Sequence, residues 1–335
     1  MITYAQNFED VMLARIFRDR TDGFYVDVGA GDPIELSVTK WFYDLGWTGI
    51  NIEPNSTFYP NLVAGRARDI NLNCGAGAIE ENAQYFQLSA CELSSFDPAV
   101  RARAEATGMQ VVPRTIEVLP LTTILDRHSD GRTIDFLKID VEGWEREVLT
   151  GLDLQRYRPT VIIVEATLPT TRIESHSKWD DLLTRANYAV AHFDGLSRFY
   201  LPAERMDLKV NFQLPPNVFD GFKTSQQAAS ELELSQLREE ASRLRHDLDQ
   251  ARGVVAMFRD EAGRLSKILT DGRPEGADPN TPGKRAAAEY AMTDHDSMDA
   301  IRRANWTLSS PGRLSMHAWR ASMRSLRRRL PRRDR

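Results

Sequence analysis

Cysteine is scarce in this sequence, and long apolar runs are missing from it. Only two of the 335 residues are cysteines, Cys74 and Cys91, too few for a disulfide scaffold or a cysteine-rich zinc module. No run approaches eighteen uncharged apolar residues, and Met1–Asp10 has no basic stretch followed by an apolar one. We therefore expect neither a membrane-spanning helix nor a secretory signal, and a cytoplasmic location. Hydrophobic residues make up 41% of the chain, enough for a sizeable core.

Charge is divided unevenly along the chain. Residues 1–225 hold 22 Lys and Arg against 32 Asp and Glu, whereas residues 226–335 hold 21 against 16. Residues 301–335 contain 11 arginines and a single acid, Asp334. Because apolar residues such as Trp319 are interleaved with them, this segment is expected to be an Arg-rich amphipathic tail, partly disordered, on an anionic membrane surface. Nucleic acid is the less favoured partner, since phosphate binding alone needs no apolar face.

Short apolar runs alternate with amphipathic stretches over residues 1–223, a pattern typical of a parallel α/β sheet. The predicted strands are Phe24–Val28, Gly49–Glu53, Asp69–Asn73, Ile134–Ile139, Thr160–Glu165 and Tyr188–Phe193. Four acids or amides lie at the ends of these runs: Glu53, Asn73, Asp140 and Glu165. Ligands of open α/β sheets bind beyond the carboxyl ends of the strands, so we expect these side chains to meet at one crevice. The alternative is that the acids cap the helices that follow.

A heptad pattern covers residues 226–270. Apolar residues or alanines recur there at alternating spacings of three and four: Leu234, Leu237, Ala241, Leu244, Leu248, Ala251, Val255, Phe258, Ala262, Leu265 and Leu269. This pattern predicts a parallel coiled coil that makes the protein a homo-oligomer, because acids then face arginines across the interface. The alternative is a single amphipathic helix that lies on the body. Residues 271–300, which begin with several prolines and glycines, are expected to form a flexible linker.

A glycine turn follows the first predicted strand, in the sequence FYVDVGAGD. Gly29 and Gly31 let the backbone pass close to a ligand at the point where the strand ends. A dinucleotide fingerprint would need glycine where Ile34 stands, which disfavours a nicotinamide-dependent dehydrogenase. Glu53, at the end of the next strand, is suitably placed to accept hydrogen bonds from two ribose hydroxyls of an adenosine.

Five segments of the chain share features with one known family. They are YAQNFEDVML (Tyr4–Leu13), GFYVDVGAGDP (Gly23–Pro33), SVTKWFYDLGWTGINIEPN (Ser37–Asn55), DFLKIDVEGWEREVLTG (Asp135–Gly151) and PPNVFDGF (Pro215–Phe222). Together they resemble the FkbM family of S-adenosylmethionine-dependent O-methyltransferases, over about residues 1–223. The resemblance implies a class I (Rossmann-like) α/β fold, with a seven-strand sheet, an antiparallel last strand and helices on both faces. It also implies S-adenosylmethionine as the cofactor, often with a sugar or other secondary hydroxyl as the acceptor.

The resemblance implies seven cofactor-binding residues, all close to strand ends: Asp27, Gly29, Ala30, Gly31, Glu53, Asn73 and Cys74. The first four would lie on the methionine and ribose side, Glu53 at the ribose hydroxyls, and the last two near the adenine. For Cys74 the alternative is a buried, small hydrophobic side chain. The N-terminal motif, with Gln6, Glu9 and Asp10, is expected to close over the site or simply to begin a helix.

The acceptor has its own requirement, because a neutral aliphatic hydroxyl is a poor nucleophile and needs a base or a metal ion. Asp140 is the first candidate for the base, with Glu142 and Glu165 orienting the acceptor. The alternative is a divalent cation bound by the same oxygens. Glu142 could instead cap the helix that it precedes, and His176 and His192 are weaker candidates for the base.

These features lead to one interpretation and two alternatives. The sequence is interpreted as that of a cytoplasmic O-methyltransferase, placed at the inner face of a membrane, that methylates a hydroxyl of a sugar or of a surface or lipid-linked glycan. RNA or a small metabolite is the alternative acceptor. The alternative outside the enzymes is a scaffold with an inert cofactor domain, which the presence of Asp27, Glu53 and Asp140 argues against.

Overall fold

The computed structural model describes residues 1–88 and 93–271, which form twelve strands, eight α-helices and three short 3₁₀ helices. The strands are β1 Ile2–Thr3, β2 Phe24–Val28, β3 Thr48–Ile52, β4 Ile70–Leu72, β5 Gly75–Gly77, β6 Glu81–Leu88, β7 Val111–Pro120, β8 Phe136–Ile139, β9 Val161–Glu165, β10 Tyr188–Phe193, β11 Ser197–Pro202 and β12 Lys223–Thr224. The α-helices are α1 Glu9–Phe17, α2 Lys40–Asp44, α3 Tyr59–Gly65, α4 Pro98–Ala106, α5 Leu121–His128, α6 Glu145–Thr150, α7 Asp180–Arg185 and α8 Ser225–Asp271. The 3₁₀ helices are His176–Lys178, Ala203–Phe212 and Val218–Asp220.

Seven strands form the central sheet, in the order β10-β11-β9-β8-β2-β3-β4. The neighbours from β9 to β4 pair in parallel, whereas β11 is antiparallel to both β9 and β10. The expected seven-strand α/β sheet with an antiparallel last strand is therefore confirmed. All six strands that the sequence pattern predicts belong to this sheet, with ends that differ by no more than two residues. The pattern did not predict β11.

Helices cover both faces of the central sheet. On one face, α5, α6 and α7 pack on side chains such as Val26 and Leu137. On the other face, α1 and α2 pack on side chains such as Tyr25 and Ile163. Because the central strands are buried on both faces, they appear in the sequence as continuous apolar runs rather than as alternating ones.

A smaller sheet with the order β5-β7-β6 was not predicted. In it β6 and β7 form an antiparallel pair, and β5 runs parallel to β7. Tyr85, Phe96 and Val118 form the hydrophobic core of this part, and Trp144 packs against them. This sheet therefore supplies an aromatic wall next to the central sheet.

The first residues of the chain pair with the segment that precedes α8. β1 lies parallel to β12, with Ile2 opposite Lys223. On the first helix, Arg15 donates from Nε and Nη2 to the two carboxylate oxygens of Asp220, at 2.8 Å each. Two parts of the chain more than two hundred residues apart are thereby joined.

The last described element, α8, is a single helix of 47 residues that covers the predicted segment 226–270. The chain consists of two units, with the boundary between Ala241 and Ser242. Residues of α8 therefore belong to both units. The predicted linker, from residue 272 onward, and the predicted tail at 301–335 lie outside the described residues. No helix in the described part combines the length and the apolarity needed to cross a membrane.

Phe136 is the centre of an aromatic cluster in the core, and its removal gives a first test. Its ring centroid lies 5.0 Å from that of Phe42, 5.6 Å from Tyr25 and 6.0 Å from Trp47. We expect Phe136→Ala to lower the free energy of unfolding, measured by denaturant titration, by about 3–5 kcal/mol. As a control, Phe219→Ala removes a ring that is 93% exposed and should change it by less than about 0.5 kcal/mol. Equal effects of the two substitutions would contradict this account of the core.

Candidate active site

The register of the central sheet brings four strand ends to one edge. Val28 of β2 pairs with Ile52 of β3 and with Ile139 of β8. Ile139 in turn pairs with Val164, the residue before the end of β9. The residues that come next on the four strands are Gly29, Glu53, Asp140 and Glu165. Three of the four predicted strand-end residues, Glu53, Asp140 and Glu165, therefore meet at this edge, whereas the fourth, Asn73, does not line the cavity found there.

A cavity of about 490 Å³ opens at this edge. Seven of the ten predicted site residues line it: Gly29, Ala30, Gly31, Glu53, Asp140, Glu142 and Glu165. The other three, Asp27, Asn73 and Cys74, are not among its lining residues. The structure thus brings the predicted catalytic residues and most of the predicted cofactor residues together in one space.

The glycine turn after β2 forms one side of the cavity. Gly29 and Gly31 adopt positive φ angles of 77° and 60°, which residues with a Cβ rarely tolerate. A Cβ on Gly29 would lie 1.8 Å from the carbonyl oxygen of Asp140. Glycine at this position therefore allows the ends of β2 and β8 to lie against each other and leaves backbone exposed to the cavity.

Glu53 is held at the end of β3 by two backbone donors. The N–H of Gly31 donates to its Oε2 and the N–H of Asn55 to its Oε1, each at 2.7 Å. Burial raises the pKa of this carboxyl to about 7, although both hydrogen bonds favour the charged form. Since a carboxylate has about four acceptor positions, both oxygens can still accept from a ligand hydroxyl.

A buried lysine that the sequence did not point to lies at the centre of the site. Lys138 Nζ donates to the carbonyl oxygen of Gly29 at 3.2 Å, and lies 3.5 Å from Asp27 Oδ1 and 3.4 Å from Asp140 Oδ2. Burial lowers the pKa of this ammonium, but the two carboxylates more than offset that effect and raise it well above its ordinary value. The feature of the sequence that could have indicated this lysine is a charged residue inside the apolar strand FLKI.

Asp27 lies beside this lysine, 1% exposed, and not on the cavity wall. Its Oδ2 accepts a hydrogen bond from Thr39 Oγ1 at 3.2 Å. Burial raises the pKa of the carboxyl, and the charges of Lys138 and Arg66 oppose that rise. The polar contacts that the structure shows for Asp27 are with Lys138 and Thr39, and its predicted contact with the cofactor stays a prediction.

The side chains of Asn73 and Cys74 contact other parts of the protein. Asn73 Nδ2 donates to the carbonyl oxygen of Glu53 at 2.8 Å. Cys74 is 6% exposed in the main hydrophobic cluster, and burial raises the pKa of its thiol to about 11. The next two residues, Gly75 and Ala76, do line the cavity. Direct adenine contacts of Asn73 and Cys74 stay a prediction, and the buried position of Cys74 matches the alternative given for it.

The three predicted catalytic carboxyls form one cluster, in which their ligand oxygens lie within 4.8 Å of one another. Burial, followed by the charges of Asp140 and Glu142, raises the pKa of Glu165 to about 11. At neutral pH Glu165 is therefore protonated and can donate a hydrogen bond. Oxygens at this spacing suit a hard divalent cation, but Lys138 already places a positive charge beside Asp140, and a metal site stays a prediction.

Glu142 does not cap the helix that follows it. The N-cap residue of α6 is Trp144, and the backbone at Glu142 has a positive φ of 51°. The carbonyl oxygen of Glu142 accepts a hydrogen bond from Ser95 Oγ at 2.7 Å, which joins this turn to the smaller sheet. The turn thereby places the Glu142 side chain on the cavity wall.

Aromatic residues that the sequence did not single out form the opposite wall. The rings of Tyr85 and Phe96 are 4.8 Å apart, and that of Trp144 lies 5.7 Å from Phe96. The indole Nε1 of Trp144 is buried and has no hydrogen-bond partner among the described residues. A ligand in the cavity therefore meets the rings of this wall, all three of which line the cavity.

The N-terminal motif reaches the same cavity through Gln6, which lines it. Behind Gln6, Glu9 Oε2 accepts from the N–H of Asn7 at 2.9 Å, and Asp10 Oδ1 accepts from Thr3 Oγ1 at 2.6 Å. Both acids are buried, so they fix the segment rather than face the cavity. The weaker candidates His176 and His192 do not line the cavity.

Removal of the Lys138 charge tests this arrangement. We expect Lys138→Met to lower the free energy of unfolding by about 3–5 kcal/mol near pH 8, because the buried Asp27 carboxylate loses its counter-charge. The loss should be smaller at acidic pH, since the raised pKa of Asp27 lets this carboxyl take up a proton and become neutral. Adding Asp27→Asn to Lys138→Met should restore part of the lost stability.

Denaturant unfolding of the two variants across pH measures this effect. As a control, Lys40→Met breaks the more exposed pair with Asp44 and should cost no more than about 1 kcal/mol. A pH-independent loss at Lys138 would show that only the packing of its side chain matters.

Comparison with known proteins identifies a related family. Residues 27–190 match the family model described as the methyltransferase FkbM domain. A solved structure, the methyltransferase FkbM from Methylobacillus flagellatus KT, is 18% identical with a TM-score of 0.37, over 57% of this chain and 47% of that one. The chain thus spans about half the length of that relative. No curated protein matches the chain. Residues 27–190, which include every predicted cofactor and catalytic residue, thus match an FkbM methyltransferase domain.

Proposed function

We propose that this protein transfers a methyl group from S-adenosylmethionine to a hydroxyl group of an acceptor. The observation that carries the proposal is the convergence of two sets of groups on one cavity. The glycine turn and Glu53 lie on one side of it, and Asp140 and Glu165 follow the adjacent strands. The family match supports methyltransferase activity. The identities of the cofactor and of the acceptor are our proposal.

The residues of the cavity fit S-adenosylmethionine. Gly29 and Gly31 present backbone without a side chain, and the carboxylate of Glu53 would accept hydrogen bonds from the two ribose hydroxyls. Gly75 and Ala76, which follow β4, would lie along the adenine. This set holds the cofactor by its ribose and leaves the strand ends at β8 and β9 for the acceptor.

Once bound, S-adenosylmethionine supplies an electrophilic methyl group, whose bond to sulfur breaks as its bond to the acceptor oxygen forms. The protein must hold the acceptor oxygen in line and remove its proton. We assign Asp140 as the group that accepts this proton, because its side chain is 35% exposed and so reachable from the cavity. Glu165, which keeps its own proton, donates a hydrogen bond that positions Asp140 or the acceptor. The products are a methyl ether and S-adenosylhomocysteine.

We further propose that the acceptor is a sugar hydroxyl, in a surface or lipid-linked glycan. The cavity combines the aromatic rings of Tyr85, Phe96 and Trp144 with several carboxyls, which suits a ligand with both C–H faces and hydroxyls. An RNA acceptor is less favoured, because residues 1–225 carry ten more acids than bases and would repel phosphates. The proposed membrane placement depends on residues 301–335 and needs a separate test.

A divalent cation bound by Asp140, Glu142 and Glu165 is the alternative way to activate the acceptor. Such an ion would favour the deprotonated form of the acceptor oxygen and would compete with the proton on Glu165. Turnover that is abolished by EDTA and restored by Mg²⁺ would favour this route over direct proton transfer to Asp140.

Calorimetric titration tests the cofactor site. We expect S-adenosylmethionine and S-adenosylhomocysteine to bind, and Glu53→Gln to weaken both by about ten- to a hundredfold, because hydrogen bonds to a charged group are lost. Glu80→Gln is the matched control, since Glu80 is exposed and does not line the cavity. No heat with either compound, from protein that unfolds cooperatively, would contradict the proposal, and binding of NAD instead would point to a dehydrogenase.

Substitutions at the strand ends separate binding from chemistry. We expect Asp140→Asn to keep the affinity for S-adenosylhomocysteine within about threefold and to lower turnover by about 10²–10⁴, since only the proton acceptor is removed. Glu165→Gln should lower turnover less, because the amide still donates a hydrogen bond. Formation of S-adenosylhomocysteine with a panel of free and nucleotide-linked sugars measures the rate, with Asp126→Asn on the surface as the control. Unchanged rates in both variants would remove these assignments.

A further inference from the structure

We propose that α8 binds a second copy of this chain, with the two helices parallel and in register. The juxtaposition that carries the proposal is a narrow apolar seam with acids along one flank and arginines along the other. The proposal does not depend on the catalytic activity, and it commits to a pair of identical chains.

In one copy of the chain, the apolar seam of α8 is exposed to solvent. Six of its large apolar side chains are between 48% and 67% exposed: Leu234, Leu237, Leu244, Leu248, Val255 and Phe258. At 1.5 Å per residue this row is about 36 Å long. Apolar side chains at spacings of three and four lie on one face of a helix, and burying them against a partner removes that surface from water.

The width of the seam indicates what covers it. The seam itself occupies two positions of each heptad, and acids and arginines flank it in the first three heptads, whereas Leu232, Val254 and Met257 are apolar residues outside it. A helix that packs on a globular body needs a wider apolar stripe, whereas a second helix fits a seam of two positions per heptad. The occupant that fits is therefore another helix of the same periodicity.

The flanking charges select an identical helix in parallel. The residues just before the first seam position of each heptad are Glu233, Glu240 and Asp247, and those on the other flank are Arg238, Arg245 and Arg252. In a parallel pair each acid faces the arginine five residues further along the partner, which gives six attractive pairs. In an antiparallel pair acids face acids and arginines face arginines. Val254 ends the pattern in the fourth heptad.

Five of these six charges have no ion pair with any other described residue of the chain. In the described part of the molecule, Arg252 is the one member of the six with such a contact, at 3.6 Å from Asp249. Charges of α8 outside the flanks do pair, as Glu231 does with Lys223 of β12 at 2.5 Å. The acids and arginines beside the seam are thus available to a partner.

Sedimentation equilibrium of the full chain tests the pairing. We expect a mass of two 38.0 kDa chains. The triple variant Arg238→Glu, Arg245→Glu, Arg252→Glu should dissociate at concentrations at least about tenfold higher, because six attractive pairs become repulsive. The matched control, Arg243→Glu, Arg264→Glu, Lys267→Glu, makes the same charge change away from the flanks and should behave as the unmodified protein. A mass of one chain or of three, or equal effects of the two variants, would overturn the proposal.

Disulfide formation tests the direction of the helices. In a Cys91→Ser background, where Cys74 is buried, Leu234→Cys should form an intermolecular disulfide under mild oxidation, because parallel helices place the two copies of this residue together. Ser235→Cys, one position outside the seam, should cross-link at least about tenfold more slowly. Equal cross-linking of the two variants, or none at Leu234→Cys while the mass remains that of a dimer, would overturn the parallel arrangement.

Discussion

The ammonium of Lys138 is the group on which the arrangement of the site depends. It lies between the Asp27 and Asp140 carboxylates and also binds the carbonyl oxygen of Gly29. One side chain thereby joins the glycine turn after β2 to the proposed base after β8. Buried carboxylates without a counter-charge would cost several kcal/mol each. The end of the sheet can therefore be both acidic and closely packed only because this lysine stands inside it.

The same electrostatic constraint gives neighbouring carboxyls different properties. Asp140 faces Lys138, whereas Glu165 lies beside Asp140 and Glu142, and burial together with their charges keeps it protonated. Glu53 lies further away and is held by two backbone donors. Three acids at the ends of β8, β9 and β3 can thus act as proton acceptor, hydrogen-bond donor and ribose ligand. This division follows from their surroundings and not from their residue types.

Much of this could be predicted from the sequence, and the exceptions share a cause. The central strands are apolar runs that end on acids, so both the sheet and the meeting point of Glu53, Asp140 and Glu165 could be read directly. The position of Lys138 in the site could not be read in this way, because its partner Asp27 lies on another strand. A lysine in a short strand usually indicates an exposed face. The smaller sheet was missed because β7 contains Pro113 and charged residues, which argue against a strand. Long-range pairing, rather than local pattern, decided each of these cases.

The pairing of β1 with β12 has a consequence for how the protein is made. Ile2 and Thr3 form their strand only with Lys223 and Thr224, so they leave the ribosome long before their partners exist. Gln6 follows directly, and it is part of the cavity wall. The segment that carries Gln6 therefore gains its pairing with β12 only after about 220 further residues have been translated, and until then the bridge between Ala5 and Leu36 is the backbone contact available to hold it against the sheet.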